Sequence, residues 1–261
     1  MGKIIAVTNQ KGGVGKTTTS INITASLVAT KRTALLVDLD PQGNATSGCG
    51  IDKNAQEKNV LDVLLGDLSI SEVIQPAEFG GFDILAANGD LAAADLHLME
   101  LDNKESRLRQ ALHSIKSQYD YIFIDCPPSL NMLTVNALVA ADSVLIPMQC
   151  EYYALEGISS LMDTIHQITE HVNPDLEIEG ILRTMYDPRN RLATEVSSQL
   201  HEYFGEKVYR SVIPRNVRLA EAPSYGKPAL QYDRLSTGAK CYLALAGEMI
   251  RREEQSVETA E

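Results

Sequence analysis

A glycine-rich segment with two lysines near the start of the chain has the residue types and spacing to bind phosphate groups. It reads Asn9-Gln10-Lys11-Gly12-Gly13-Val14-Gly15-Lys16-Thr17-Thr18. Glycines allow a turn in which successive backbone N–H groups point at one anion, and the start of a following helix adds partial positive charge. We expect Lys16 to reach the β- and γ-phosphates of a nucleotide and the Thr17 hydroxyl to ligate Mg²⁺. The rest of the expected phosphate cradle is Gly12, Gly13, Val14, Gly15 and Thr18.

The same segment departs from the plain G-x-x-x-x-G-K-[ST] pattern at two positions. Gln10 occupies the place of the first glycine, and a second lysine, Lys11, follows it. Lys16 carries positive charge into a site where phosphoryl transfer builds negative charge, so we predict that it stabilises that charge. Lys11 could be a solvated lysine of the loop.

Two aspartates that follow strand-like segments have the chemistry to complete such a site. Asp40 begins Asp40-Pro41-Gln42-Gly43, and Asp125 begins Asp125-Cys126-Pro127-Pro128. In an open α/β sheet, ligands bind beyond the carboxyl ends of the strands, so both carboxylates can meet the phosphate loop. We predict that Asp125 holds Mg²⁺, directly or through a water, and that Asp40 orients the water for hydrolysis. The alternative for each is an aspartate that only opens a turn before proline.

Strand-like and helix-like segments alternate along the chain and must position these residues. Most of the strand-like segments are continuously apolar, as in central strands of a parallel sheet that is covered on both faces. The predicted strands span residues 3–8, 33–38, 82–86, 121–125, 143–148, 176–182 and 207–213, and the predicted helices span residues 17–31, 103–118, 130–140, 155–171, 192–204 and 237–252. We predict an α/β fold with a single doubly wound, mostly parallel sheet flanked by helices, in one domain over residues 1–250. Residues 251–261 are expected to form a frayed, disordered acidic tail.

The composition excludes several classes of protein. Of the 261 residues, 44% are hydrophobic and 22% are charged, as in ordinary globular domains. The apolar runs are too short for a membrane span, and the start of the chain has no secretory leader, so we expect a soluble, cytoplasmic protein. The four cysteines are widely spaced without a C-x-x-C pair. They are therefore interpreted as reduced, small hydrophobic residues rather than as disulfides or metal ligands.

One stretch of the chain is basic although the whole chain carries a formal net charge of −12. Residues 183–234 contain nine Lys or Arg against six Asp or Glu, and seven of the nine are arginines, which suit forked phosphate contacts. A uniformly acidic surface would repel nucleic acid, so any binding to DNA must depend on this local patch. The alternative is a mixed, solvated face without a ligand.

These motifs resemble those of the ParA/Soj chromosome-partitioning proteins, a branch of the deviant Walker ATPases. Lys11 matches the extra lysine that marks this family, residues 40–44 resemble its first switch, and residues 125–128 resemble its second. The resemblance continues through residues 149–157 and 213–219 and so covers nearly the whole chain. It implies a Mg²⁺-dependent ATPase whose ATP-bound copies form a face-to-face homodimer. In that dimer Lys11 is expected to reach the partner's phosphates and to stabilise the negative charge of the transition state, as an arginine finger does.

The resemblance also implies residue roles and partners outside the phosphate loop. Pro214 and Asn216 are expected to contact the adenine. Duplex DNA is expected to be bound without sequence preference, on the nucleoid, by Arg189, Arg191, Arg215, Arg218 and Lys227. A ParB-like centromere-binding protein would stimulate hydrolysis and release the DNA, and a replication initiator is a further implied partner.

Other interpretations remain open from sequence. A MinD-like membrane ATPase would end in a basic amphipathic helix, whereas residues 251–261 are acidic and nearly lack large apolar side chains, so no membrane partner is expected. A non-enzymatic, nucleotide-gated adaptor would share the phosphate loop and differ in turnover. Glu151, Tyr152 and Tyr153 either line the dimer seam or belong to the core or a surface loop.

Overall fold

A single eight-stranded sheet forms the centre of the computed structural model, which describes the backbone of residues 2–260 and the side chains of residues 2–255. The strands are β1 (Lys3–Val7), β2 (Ala34–Asp38), β3 (Gln75–Pro76), β4 (Asp83–Leu85), β5 (Tyr121–Asp125), β6 (Ser143–Gln149), β7 (Glu177–Thr184) and β8 (Val208–Ile213). Their order is β3-β4-β2-β5-β1-β6-β7-β8, and only the β3–β4 pair is antiparallel in the described chain. The chain winds outward on both sides of β1, which confirms the predicted doubly wound sheet.

Helices cover both faces of this sheet. They are α1 (Lys16–Ala29), α2 (Asn44–Gly48), α3 (Val60–Leu65), α4 (Ile70–Val73), α5 (Ala94–Met99), α6 (Arg107–His113), α7 (Met132–Ala140), α8 (Ala154–His171), α9 (Arg191–Phe204), α10 (Val217–Glu221), α11 (Ala229–Tyr232) and α12 (Thr237–Ala260). In residues 2–260, no helix has both the length and the apolar character that a membrane crossing requires.

The sheet divides the core into two layers because successive side chains of a strand point to opposite faces. Ile4 of β1 packs in the layer that contains Leu161 of α8. Ile5 packs in the other layer, with Ile23 of α1 and Leu245 of α12. Since both faces of β1 are covered, the strand reads in sequence as a continuous apolar run.

The predicted helix over residues 103–118 is wrong in its extent. Only α6 is α-helical there, and it is flanked by the short 3₁₀ turns Lys104–Ser106 and Lys116–Gln118. Asn103 has a left-handed backbone with φ +54°, and the Ser114 hydroxyl donates to the Ala111 carbonyl at 2.7 Å. Local bonds of this kind compete with the continuing α-helical pattern.

The last helix runs through the segment that the sequence predicts to be a tail. Arg252 donates to the carbonyl oxygens of Glu206 and Val208 and forms a 2.7 Å ion pair with Glu248. These contacts hold the helix against β8, so ordered structure extends past the predicted boundary at residue 250. Glu261 lies outside the described residues.

The two outer strands of the sheet are each protected. The backbone N–H groups of Arg210 and Ser211 in β8 donate to the Glu248 carboxylate of α12, both at 2.8 Å. At the other margin, β3 has only two residues, and the second is Pro76, which has no N–H to donate.

Candidate nucleotide-binding site

The loop between β1 and α1 adopts the conformation that a phosphate cradle requires. Gly13 and Gly15 have φ values of +74° and +88°, in the left-handed region where other residues would be strained. A Cβ atom built on Gly12 or Gly13 would meet no described atom within 4 Å. The loop therefore borders open space that is large enough for an anion to approach its backbone.

Residues from outside the loop fix its shape. The Asn9 Oδ1 atom accepts a hydrogen bond from the Lys11 N–H at 2.9 Å. The Thr184 hydroxyl, at the end of β7, donates to the Val14 carbonyl at 2.7 Å. The sequence interpretation missed Asn9 and Thr184 as supporting residues, and the Thr184 contact spans 170 positions, so no local pattern could have indicated it.

Lys16 is almost completely buried at the first turn of α1. Its residue exposure is 7%, and its Nζ atom lies 3.4 Å from the Lys11 carbonyl oxygen. Burial lowers the pKa of Lys16, and the nearby charges of Asp125 and Asp40 oppose that shift. The structure thus brings the loop lysine and both predicted carboxylates into one electrostatic environment.

Asp125 ends β5 and is fully buried under the phosphate loop. The Ser20 hydroxyl donates to its Oδ1 atom at 2.8 Å, whereas its Oδ2 atom has no hydrogen-bond partner among the described residues. Burial raises the pKa of Asp125, and the charge of Asp38 raises it further because the two residues are paired in register across β2 and β5. The nearby hydroxyls of Thr17 and Ser20 favour the charged form.

The residues around Asp125 fit a magnesium ion that is bound together with phosphates. Within residues 2–255, no three His, Cys, Asp or Glu side chains converge as a preformed metal cage would require. Mg²⁺ usually takes one or two protein oxygens and completes its shell with phosphate oxygens and water. The orphaned Oδ2 atom of Asp125 and the adjacent Thr17 hydroxyl form such a donor set.

Asp38 is a site residue that the sequence interpretation missed. It is fully buried at the end of β2, and its Oδ2 atom accepts from both the N–H and the hydroxyl of Thr46 at 2.8 Å. Its Oδ1 atom accepts from the Asp40 N–H at 3.1 Å. Asp38 therefore fixes the loop that carries Asp40, whose own carboxylate accepts from the Gln42 N–H at 2.9 Å. Asp38 lies two residues before Asp40 at the end of the same strand, and this position could have identified it from the sequence.

Lys11 does not point into its own phosphate loop. Its Nζ atom lies 2.5 Å from Glu151 Oε2, and the two side chains are 47% and 49% exposed. Tyr152 and Tyr153 follow Glu151 on the surface and pack edge to face with ring centroids 5.0 Å apart. The structure therefore excludes a core position for Glu151, Tyr152 and Tyr153.

A cleft of about 340 Å³ opens beside the phosphate loop and contains both residues expected to contact the adenine. Pro214 and Asn216 lie in its wall, and Gly15 and Thr18 join that wall to the loop. The Asn216 Oδ1 atom also accepts from the Arg218 N–H at 3.1 Å and so begins α10. The location agrees with the expectation, and the adenine contact itself stays a prediction.

Four of the predicted DNA-binding residues follow adjacent strands at the carboxyl edge of the sheet. Arg189 and Arg191 come after β7, and Arg215 and Arg218 come after β8. Lys227 comes later in the chain, after α10, and its Nζ atom lies 4.5 Å from the centroid of the Phe79 ring.

Three of these arginines are held by carboxylates of the same chain. Arg189 donates twice to Asp187, at 2.9 and 2.8 Å, and Arg191 donates to Glu195 at 2.8 Å. Arg218 contacts both Glu221 and Asp233. The patch is therefore less positive than the count of arginines suggests.

Comparison with known proteins identifies the family. A family model described as an AAA domain matches residues 2–178. The chain is 54% identical over 249 residues to the sporulation initiation inhibitor protein Soj of Bacillus subtilis, covering 95% of this chain and 98% of that protein. It is 51% identical over 253 residues to the chromosome partitioning protein ParA of Myxococcus xanthus, covering 97% of this chain and 89% of that protein.

Solved structures of proteins with other names have the same fold as this chain. The cobyrinic acid a,c-diamide synthase of Mycobacterium smegmatis, solved with ADP and magnesium, has a TM-score of 0.86 at 36% identity, covering 98% of this chain and 97% of that one. The cell division ATPase MinD of Pyrococcus furiosus has a TM-score of 0.79 at 27% identity, covering 96% and 99%. The fold alone does not separate these proteins, whereas the Soj and ParA relatives match nearly the whole chain at more than half identity. The chain belongs to the ParA/Soj family of chromosome-partitioning ATPases.

Proposed function

We propose that this chain is a DNA-partitioning switch in which Mg-ATP pairs two copies, the pair binds duplex DNA without sequence preference, and hydrolysis releases the DNA. One observation carries the proposal: the phosphate loop, the buried Lys16 and the orphaned oxygen of Asp125 converge at one edge of the sheet, with Lys11 exposed beside them. This arrangement has the charges that phosphoryl transfer requires.

Each residue of the site has a role in the proposed hydrolysis. Backbone N–H groups of residues 12–18 bind the phosphates, and Lys16 neutralises charge on the β- and γ-phosphates. Thr17 and Asp125 would hold Mg²⁺, which supplies further neutralisation of the phosphate oxygens when bound. Asp40 accepts a hydrogen bond from the attacking water and orients it toward the γ-phosphorus. The adenine would lie in the cleft at Pro214 and Asn216.

The second copy supplies the remaining charge. Lys11 of a single chain rests on Glu151 at the surface, so it is available to the phosphates of a facing copy. A cation delivered in this way acts where negative charge develops in the transition state, as an arginine finger does. Hydrolysis then depends on pairing, which couples release of DNA to turnover.

DNA binding follows from tethering two weak patches. One patch carries Arg189, Arg191, Arg215, Arg218 and Lys227 on a chain of net charge −12, which disfavours DNA binding by a single copy. Two patches joined in one dimer bind with a high effective concentration. A ParB-like centromere-binding partner would stimulate hydrolysis on the nucleoid, and a replication initiator is a second partner implied by the family.

The central test is DNA binding with ATP, ADP or no nucleotide over a range of salt concentrations. We expect binding with ATP only, a steep fall with salt, and loss in Arg218→Glu. Arg109→Glu makes the same charge change at an exposed position beside the start of β6 and should bind as wild type does. Equal binding in all nucleotide states would contradict the proposal.

Two alternative functions predict different experimental results. Sedimentation with liposomes in the presence of ATP would instead support a MinD-like membrane ATPase, which the shared fold with MinD keeps as the alternative. ATP binding without turnover, alone or with DNA and the partner protein, would indicate a nucleotide-gated adaptor.

A further inference from the structure

Arg218 lies between two carboxylates on the outer surface of α10. Its Nη1 atom is 2.7 Å from Glu221 Oε2, and its Nε atom is 3.3 Å from Asp233 Oδ2. The Tyr232 hydroxyl donates to the same Glu221 oxygen at 3.2 Å. The side chain of Arg218 remains 50% exposed, so solvent and a ligand can still reach the guanidinium.

The helix that carries Arg218 also borders the nucleotide cleft. Val217, Leu219 and Ala220 line that cleft, and Leu219 is buried. Arg218 points away from it, toward Glu221 and Asp233. One side of this five-residue helix therefore borders the cleft proposed for the nucleotide, and its other side carries an arginine that is paired with carboxylates.

Arg189 has a similar arrangement after the neighbouring strand. Its guanidinium forms two parallel bonds to Asp187, and these bonds hold the pKa of Asp187 at about 2. A carboxylate in this forked geometry occupies the same donors that a phosphate would use. The chain therefore carries internal competitors at Arg189 and Arg218, two of the four arginines that are expected to contact DNA.

We infer that Glu221 and Asp233 compete with DNA phosphates for Arg218 and thereby lower the DNA affinity of each copy, including each copy of the ATP-bound pair. The inference rests on the proposed function, and it assigns the regulation of the DNA surface to two acidic residues that do not touch DNA. An exposed ion pair shifts an equilibrium by only about 1.5- to 5-fold. DNA can thus displace the carboxylates, and it does so readily when two patches engage together.

The experiment measures Kd for a labelled duplex by fluorescence anisotropy, with saturating Mg-ATP at fixed salt. Glu221→Gln keeps an acceptor for Tyr232 and removes the charge, and Asp233→Asn keeps the cap that Asp233 provides to the Leu235 N–H. We expect each variant to bind about 2- to 25-fold more tightly than wild type, since each dimer contains two such pairs. Glu254→Gln makes the same charge change at an exposed position beside the start of β5 and should leave Kd unchanged.

A double variant separates local competition from a general charge effect. In an Arg218→Ala background, the gain from Glu221→Gln should disappear, because no arginine is left to release. Equal gains from Glu254→Gln and Glu221→Gln, or a gain that survives without Arg218, would overturn the inference while the proposed function stands. A wild-type protein that binds no DNA with ATP would overturn both. Thermal melting of each variant confirms that it is folded.

Discussion

Lys11→Ala removes the lysine that is expected to act on a partner's phosphates, and the structure predicts that the isolated chain tolerates the change. The Lys11–Glu151 pair is about half exposed at both ends, and such surface pairs contribute about 0–1 kcal/mol to stability. We therefore expect the free energy of unfolding to fall by no more than about 1 kcal/mol, measured by urea denaturation.

The same substitution should have a large effect on ATP turnover. An arginine finger raises the rate of phosphoryl transfer by about 10³- to 10⁵-fold, so loss of a lysine in the same role should lower turnover by at least about 10²-fold. Nucleotide affinity of the single chain should be unchanged, because the Lys11 ammonium lies on Glu151 and not in its own loop. Steady-state hydrolysis measured against protein concentration, with the exposed Lys58→Ala as control, separates the two effects.

Two outcomes would refute this reasoning. Turnover of Lys11→Ala equal to that of Lys58→Ala would show that Lys11 is only a surface lysine. Wild-type turnover that rises in simple proportion to protein concentration, well below the concentration at which two copies associate, would show that no second copy takes part in hydrolysis.

Three further substitutions test the site and the packing around it. Asp125→Asn should abolish the gain in nucleotide affinity that Mg²⁺ provides, because the buried carboxylate oxygen available to the ion is lost. Nucleotide titration with and without Mg²⁺ measures this gain. Gly226→Ala places a Cβ 2.5 Å from the Gly50 Cα at a φ of +62°, so urea denaturation should show a loss of about 1–3 kcal/mol. Gly12→Ala meets no described atom within 4 Å and should keep its stability, yet nucleotide titration should show weaker binding, because the methyl group occupies phosphate space.

The central strands were predictable because their burial is visible in sequence. β5 has the predicted bounds, since a strand covered on both faces must be apolar throughout and ends at the first polar residue, Asp125. The short helices between residues 44 and 99 and the two-residue β3 were not predicted. Helices as short as α3 form only with caps and tertiary contacts, here the reciprocal bonds of Asn59 and Asp62, and so leave a weak periodic signal.

The candidate site was predictable where its residues are adjacent in sequence. The phosphate loop could be predicted in full from one segment, and Asp125 could be predicted because it ends an apolar strand. The supporting contact of Thr184 could not, because Thr184 reaches the loop from a strand 170 positions away. Composition indicated a basic patch but not its neutralisation, since charge counts do not say which carboxylate lies beside which guanidinium. The catalytic and DNA-binding roles themselves stay predictions that the variants above can test.

The protected margins of the sheet restrict how copies of this protein can associate with one another. Glu248 occupies two N–H groups of the outermost strand, and Pro76 shortens the opposite one. Lateral strand addition, the common route from a parallel sheet to an insoluble fibre, therefore has little to start from in the described chain. Contacts between copies must therefore use faces of the molecule other than the strand margins.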